Sequence, residues 1–279
     1  MTDDSHATYL GRNHHQVPRR SAAVGGQLLR GGGQRLTHCV RQTIVHRTRT
    51  KASGARPILG CMPLTFTGTL DRDALLRATD ALVALVSVPG VAEAWDRESA
   101  MPGMTVGGLT RHLVSQLECA VEFLGIRPVP PHAPTVSLAE LFDRTDWFHA
   151  PVDAAENTSI VDNFNAMAEG GQPHAVAILD EARSALPAAI AAAGPTTYVP
   201  WQDCCLATDD FLVVRLMEVV VHADDLATSL GSPTPALDDE VLHPALALLA
   251  MLSSLRHGQD GAVRALARAE RAGGAAAAF

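Results

Sequence analysis

The stretch Phe211-Leu-Val-Val-Arg-Leu-Met-Glu-Val-Val-Val-His-Ala-Asp-Asp-Leu226 decides how this chain folds. Nearly all of it is apolar, which predicts a largely buried helix over about residues 209–230. Polar residues interrupt it at spacings of three, four and three, and these spacings place them on one helix face: Arg215, Glu218, His222 and Asp225. Because an isolated buried charge is energetically costly, such a stripe needs solvent, a partner charge or a bound ion.

The polar stripe has two interpretations. It is either the solvated face of an amphipathic helix, with weak surface ion pairs, or one side of a metal site. In the second interpretation Glu218 and His222 are metal ligands, since side chains four residues apart can converge on one ion. Arg215 and Asp225 would then orient the ligands or contact a substrate. The small number of polar positions weakens the first interpretation, but this helix alone leaves both open.

His112 is the candidate third ligand, in a helix predicted over about residues 105–124. A lone histidine is more often an ordinary core or surface residue, so its candidacy depends on Glu218 and His222. Two histidines and one carboxylate leave an open coordination position, which is typical of catalytic zinc. Cys119 lies seven residues later, and we interpret it as a small buried hydrophobe rather than as a ligand.

Helical periodicity recurs along the chain from Leu70 onward. Helices are predicted at residues 71–88, 105–124, 137–148, 154–168, 173–193, 209–230, 238–257 and 261–272. Pro187 is expected to kink or divide its helix, and the sequence carries no β-hairpin signal. Aromatic residues make up only 4% of the chain. The pattern predicts an all-α protein, with a metal-binding helical bundle over residues 62–235 and a C-terminal helical extension, 236–279, packed on it.

Residues 1–61 differ from the rest of the chain in charge and pattern. They contain ten basic and two acidic residues, with several glycines and no sustained apolar period. We therefore predict a disordered basic N-terminal extension. The remaining chain has 12 basic and 28 acidic residues, so its net charge is −16 against +8 for the first part. An acidic body argues against binding to nucleic acid.

The sequence also predicts a cytoplasmic protein. No apolar run is long enough to cross a bilayer, so no membrane partner is expected. The basic start lacks the apolar core of a secretory signal. The five cysteines are odd in number and include no C-x-x-C pair, which suggests neither a disulfide framework nor a thiolate zinc site. A reducing compartment is the default for such a protein.

Two segments together resemble a known family of metalloenzymes. Met101-Pro-Gly-Met-Thr-Val-Gly-Gly-Leu-Thr-Arg-His112-Leu is similar to the P-x-W-T-V-x-D-L-x-x-H-L segment of the DinB-like metalloenzymes. More narrowly, it resembles the mycothiol-dependent maleylpyruvate isomerase family. The second signature of that family, R-x-x-E-x-x-x-H-x-x-D-L, is matched from Arg215 to Leu226. The stretch from Arg256 to Arg268 also resembles its C-terminal part, so the likeness covers about residues 66–272.

The resemblance implies a DinB-like four-helix bundle in which His112, Glu218 and His222 bind one divalent metal, with zinc expected. It further implies mycothiol as a thiol co-substrate and a small electrophile as substrate. The enzyme would be an isomerase or an S-transferase, with Arg215 and Asp225 as its catalytic groups. The alternative is a non-catalytic bundle that binds a metal or another ligand.

Details of the site stay open at this stage. Arg215 could bind a carboxylate of substrate or thiol, or could pair with Glu218 or Asp225. Asp225 could orient His222 on its own helix or His112 across the bundle. The chain departs from the family pattern at Met104, where tryptophan is usual, and at Gly108, where an acidic residue is common. These departures flank the predicted metal site and leave the identity of the substrate open. The sequence does not indicate the oligomeric state either.

Overall fold

Helices make up most of the computed structural model, which describes residues 63–151, 153–272 and 277–278. In chain order they are α1 (Ala74–Val86), α2 (Pro89–Glu93), α3 (Val106–Leu124), α4 (Leu138–Asp143), α5 (Asp146–His149), α6 (Ala155–Met167), α7 (Gly171–Ala192), α8 (Thr208–Leu230) and α9 (Asp239–Ala267). Two short strands, β1 (Thr196–Val199) and β2 (Cys204–Ala207), separate α7 from α8. Single 3-10 turns cover Ala168–Gly170, Pro200–Gln202 and Ala269–Arg271. The predicted all-α fold class is confirmed, with one small addition.

Four helices, α1, α3, α7 and α8, surround the hydrophobic core. Helix α1 contacts α7 and α8, and α3 contacts the same two helices. Apolar side chains fill the space between them, and Leu82, Leu113, Leu179 and Leu216 are almost fully buried there. Leucine is a good helix former that carries no polar group to satisfy, so the predicted four-helix bundle forms around these positions. Helix α6 packs on α3, while α9 packs against α8 and α1.

The small addition is an antiparallel hairpin that the sequence did not indicate. Strands β1 and β2 pair from Thr196 opposite Ala207 to Val199 opposite Cys204. The loop between them ends on Asp203, whose φ of 47° lies in the left-handed region. Each strand has only four residues and the loop contains none of the usual turn dipeptides, which is why the sequence carries no signal for this hairpin.

Several predicted helix boundaries also need correction. Pro187 does not divide its helix, because α7 continues through it to Ala192. A proline removes one backbone hydrogen bond, and the packing of the helix remains. Thr208 is the first residue of α8 rather than its cap, and its hydroxyl donates to the carbonyl of Gly194 at 2.7 Å. The predicted helix 137–148 is two short helices, α4 and α5. By contrast, the prediction of two C-terminal helices is confirmed, because the non-helical backbone of Gly258, with a φ of 75°, divides α9 into two helical segments.

The first turn of α8 binds the segment that precedes α1. Asp210 accepts a hydrogen bond from the backbone N–H of Phe66 at 2.6 Å. Asp209 accepts from the backbone N–H of Gly68 at 2.8 Å and from Nε of Arg72 at 2.6 Å. Negative side chains are favourable at a helix N-terminus, where backbone N–H groups point outward. These contacts fix the position of α8 against the start of α1.

The structure tests the remaining predictions about the chain only in part. The predicted N-terminal extension, residues 1–61, lies outside the described residues. None of the described helices combines the length and the apolar character that a bilayer crossing requires. Cys119 is 3% exposed, which agrees with its interpretation as a small buried residue. The predicted domain boundaries and the cytoplasmic location stay predictions.

A pH-dependent effect on stability is expected from Glu122 on α3. Burial, with a smaller repulsion from Glu118, raises the pKa of Glu122 from its usual 4.5 to about 7. The folded state therefore binds a proton more tightly than the unfolded state, and stability is lost as pH rises from 4.5 through 7. Glu122→Gln should raise the free energy of unfolding at pH 8 by about 1–2 kcal/mol after solvent screening, and by much less at pH 4.5.

Urea denaturation of the full chain at pH 4.5 and pH 8 measures this difference. The matched control is Glu93→Gln, at an exposed position on α2, for which the two pH values should give the same small change. An equal effect of Glu122→Gln at both pH values would contradict the expectation.

Candidate metal centre

Helix α3 carries His112 two turns after its start. Thr105 caps the helix as predicted, since its hydroxyl oxygen accepts from the backbone N–H of Gly108 at 2.9 Å. The His112 ring packs edge to face against Phe164 of α6, with ring centroids 4.2 Å apart. It makes a second edge-to-face contact with His222 of α8, at 4.4 Å. Packing on two sides holds the imidazole toward α8.

Helix α8 supplies the other members of the cluster. His222 Nε2 lies 3.1 Å from Glu218 Oε2, and His222 Nδ1 lies 2.9 Å from Asp225 Oδ2. Asp225 therefore contacts His222 on its own helix, which was one of the two possible roles of Asp225. The other possibility, orientation of His112 across the bundle, is wrong, because His112 Nδ1 is buried without a hydrogen-bond partner among the described residues.

The distances among His112, Glu218 and His222 suit one small cation. One ligand atom from each of the three side chains lies within 4.8 Å of the other two. Glu218 Oε2 is 3.1 Å from His222 Nε2 and 3.6 Å from His112 Nε2. A tetrahedral zinc ion with bonds of about 2.0–2.1 Å would place its ligand atoms about 3.3 Å apart. The donor set and its spacing therefore fit zinc with little rearrangement.

The cluster is shielded from solvent, which rules out the solvated-face interpretation. The side chains of His112, Glu218 and His222 are 15%, 14% and 10% exposed. Arg215, one turn earlier on α8, is also buried. A buried stripe of this kind needs internal compensation, and the arrangement of the polar side chains provides it.

The two imidazoles have opposite protonation preferences. Burial, aided by repulsion from His222, lowers the pKa of His112 to about 4. Burial also opposes a charge on His222, but hydrogen bonds with Asp225 and Glu218 outweigh it and raise that pKa to about 9. Burial alone would raise the pKa of Glu218, yet hydrogen bonds from both imidazoles hold it well below its usual range. Neutral His112 and ionised Glu218 are in the forms that bind a metal, whereas His222 must give up a proton.

Arg215 does not form the ion pair that one prediction allowed. Among the described residues its guanidinium is paired with no carboxylate, and its Nη1 donates instead to Oε1 of Gln116 at 2.6 Å. Its Cζ lies 5.9 Å from the ring centroid of Trp201 and 5.7 Å from that of Phe211. Its buried Nε atom has no hydrogen-bond partner in the part of the chain that the structure describes. Arg215 is thus a buried cation that bonds directly to a neutral amide and is attracted over a longer distance by Glu218, one turn along α8.

One of the two departures from the family pattern, Gly108, is explained by the packing around α3. A Cβ atom at Gly108 would collide with Oδ1 of Asn165, and it would lie 3.1 Å from Cγ of Met104. That same Oδ1 accepts from the backbone N–H of Thr105 at 2.9 Å. Asn165 of α6 thus occupies the space that an acidic side chain at residue 108 would need. Met104 is fully buried in this region.

Sequence reasoning missed the residues that position the ligands. Phe164 and Asn165 come from α6, and Gln116 bridges α3 and α8. The only sequence signal was the pair Gly107-Gly108, because two glycines in the first turn of a helix indicate close neighbours. Nothing in the sequence indicated which residues those neighbours are.

A family model described as the mycothiol maleylpyruvate isomerase N-terminal domain matches residues 75–227. The chain belongs to this family. The match covers more than half of the chain and runs from the start of α1 to near the end of α8. It therefore includes all four bundle helices and every residue of the cluster. Neither the curated proteins nor the solved structures gave a match.

The family model covers only part of the stretch in which the sequence resembles the family. Both signatures, around His112 and from Arg215 to Leu226, lie within it. The C-terminal stretch from Arg256 to Arg268 lies beyond it, in α9 and just after it. Membership in this family thus rests on the bundle that carries His112, Glu218 and His222.

Asp225 is expected to strengthen metal binding through His222. Asp225→Asn keeps the shape of the side chain but removes the charge that holds the Nδ1 proton. Loss of such a supporting carboxylate typically weakens metal binding by about 10- to 100-fold. Titration of zinc against a chromophoric chelator measures the change. The matched control is Asp224→Asn, because Asp224 is exposed and bonds to Thr234; equal affinities for the two variants would contradict this role.

Proposed function

We propose that this chain is a metal-dependent enzyme that uses mycothiol and acts on a small electrophile, as an isomerase or an S-transferase. The observation that carries the proposal is the convergence of His112, Glu218 and His222 within 4.8 Å, inside the region that matches the isomerase family. The fold alone would not support an activity, since one fold can serve many functions.

The protein would hold a divalent cation through two imidazole nitrogens and one carboxylate oxygen. This donor set with one open position is typical of catalytic zinc, which makes a coordinated thiol acidic enough to ionise near neutral pH. The family description names mycothiol, and this supports mycothiol as the thiol.

The surrounding side chains have distinct roles in this proposal. Asp225 accepts the Nδ1 proton of His222, which keeps Nε2 directed at the shared point of the cluster. Phe164 covers one edge of His112 and limits the access of water. Arg215, a buried cation one turn from Glu218, would bind a carboxylate of the substrate through charge-assisted hydrogen bonds.

The reaction class follows from thiol chemistry. In an isomerase, sulfur adds to one carbon of an activated double bond and a proton adds to the neighbouring carbon. Rotation about the resulting single bond and loss of the same thiol and a proton then return the alkene with changed geometry. In an S-transferase, the adduct is released instead, so thiol is consumed. The family description supports the isomerase.

Two measurements on the purified full chain test the proposal. Elemental analysis should find about one zinc per chain after zinc loading. Reduced mycothiol with maleylpyruvate should then show zinc-dependent isomerisation, while other electrophiles should show thiol consumption if the chain is a transferase. A chain that takes up no metal would contradict the proposal.

The alternative, a non-catalytic metal- or ligand-binding bundle, makes a different forecast. It expects the same zinc content, but neither isomerisation nor thiol consumption with maleylpyruvate or with other activated alkenes. The second measurement therefore separates the two functions once the first has been made.

A further inference from the structure

The side chain of Asn165 joins α6 to the start of α3. Its Oδ1 accepts hydrogen bonds from the backbone N–H of Thr105 at 2.9 Å and from the Thr105 hydroxyl at 3.2 Å. Its Nδ2 donates to the backbone carbonyl of Gly103 at 3.0 Å. These partners fix the orientation of the amide, because a backbone N–H needs an acceptor and a carbonyl needs a donor.

One of these bonds completes the cap of α3. In a capping box, the third residue of the helix is Glu or Gln, and its side chain accepts from the backbone N–H of the capping residue. Here Thr105 is the capping residue and the third residue is Gly108, which has no side chain to accept with. Asn165 accepts that N–H instead. Helix α6 thus supplies the half of the capping box that α3 lacks.

The same turn of α6 forms one wall of the His112 ring. Phe164 directly precedes Asn165, and its ring centroid lies 4.2 Å from that of His112. Within α6, whose residues are all described, Phe164 is the only buried side chain. A helix with few buried contacts is held weakly by packing. The position of α6 along α3 therefore depends strongly on Phe164 and on the hydrogen bonds of Asn165.

We propose that Asn165 is a positioning residue, which caps α3 from α6 and so holds Phe164 against the ring of His112. The inference rests on the proposed function, since His112 is one of the three proposed metal ligands. An acidic residue at position 108 would also cap α3, but it would not join α6 to the start of that helix. The glycine leaves the space, and the asparagine uses it to link the two helices.

Two substitutions separate the cap from the link. Asn165→Ala removes both. The double variant Gly108→Asp/Asn165→Ala returns an acceptor to the third position of α3, so it restores the cap without the link. The aspartate has room there, because the atom that a Cβ at Gly108 would strike belongs to the side chain that the alanine removes. Asn163→Ala is the matched control, at an exposed position on the same helix.

The melting temperature of the full chain reports on the cap. It should fall by about 2–4 °C in Asn165→Ala, as expected for the loss of one helix cap, and should largely recover in the double variant. The NMR signals of the His112 ring in the metal-free full chain report on the link, because the ring current of Phe164 shifts them. They should move in both variants. Zinc affinity should fall on the order of tenfold in both, as for other residues that support a metal ligand.

The control should match the wild-type protein in all three measurements. Recovery of the His112 signals and of zinc affinity together with the melting temperature would show that Asn165 only caps α3, and would overturn the inference. Unchanged His112 signals in Asn165→Ala would overturn it as well. A wild-type chain that takes up no zinc would contradict the proposed function, whereas the NMR signals of the metal-free chain would still decide whether Asn165 positions His112.

Discussion

Replacing His222 by Ala should lower the zinc affinity of the chain on the order of 1000-fold or more, beyond the effect of losing a supporting carboxylate. His222 Nε2 lies 3.1 Å from Glu218 Oε2, and the substitution removes one of the three proposed ligands. It also leaves Asp225 without the imidazole N–H that it accepts. The remaining pair, His112 and Glu218, cannot enclose an ion of tetrahedral preference.

Zinc competition with a chromophoric chelator measures this loss, and Glu218→Gln should give a comparable one. His243→Ala is the control, because its side chain is 68% exposed on α9 and lies outside the cluster. It should bind zinc as the wild-type protein does. Wild-type affinity in His222→Ala would show that the three side chains are not a metal site, whatever the thiol assays find.

The sequence predicted those site residues whose spacing within one helix already indicates a shared face. The spacing of Glu218, His222 and Asp225 places them on one helix face without any knowledge of the fold. The apolar residues around them predicted the burial that the structure shows. His112 required more, because a lone histidine carries no signal of its own and became a candidate through the other two.

The positioning residues could not be predicted in the same way. Phe164 lies in α6, and it contacts His112 only because α6 packs on α3. Gln116 looked like one more polar residue on a helix, and its significance depends on the approach of α8. Such contacts depend on which helices pack together, and the residue pattern within one helix does not reveal this. The missed hairpin has a related cause, since its four-residue strands are too short to show alternation.

Gly107→Ala should destabilise the folded chain by about 3 kcal/mol, at the upper end of the usual cost of overpacking a core. A Cβ atom at Gly107 would lie 2.6 Å from two atoms of the Trp95 ring. Trp95 has little freedom to move, because its Nε1 donates to the carbonyl of Ala168 at 3.1 Å. Its own carbonyl accepts from the backbone N–H of Gly107 at 2.8 Å. The strain would therefore pass into the first turn of α3, five residues before His112, so zinc affinity should fall as well.

Urea denaturation of the zinc-loaded full chain measures the loss of stability from Gly107→Ala, and the control is Gly90→Ala in α2. A Cβ atom at Gly90 would meet no atom of the described residues within 4 Å, so that substitution should be neutral or stabilising by up to about 1 kcal/mol. Trp95→Leu removes the ring that the new methyl group would strike, so Gly107→Ala should cost less in that background. The same cost in both backgrounds would mean that the close contact with Trp95 is not what requires glycine at this position.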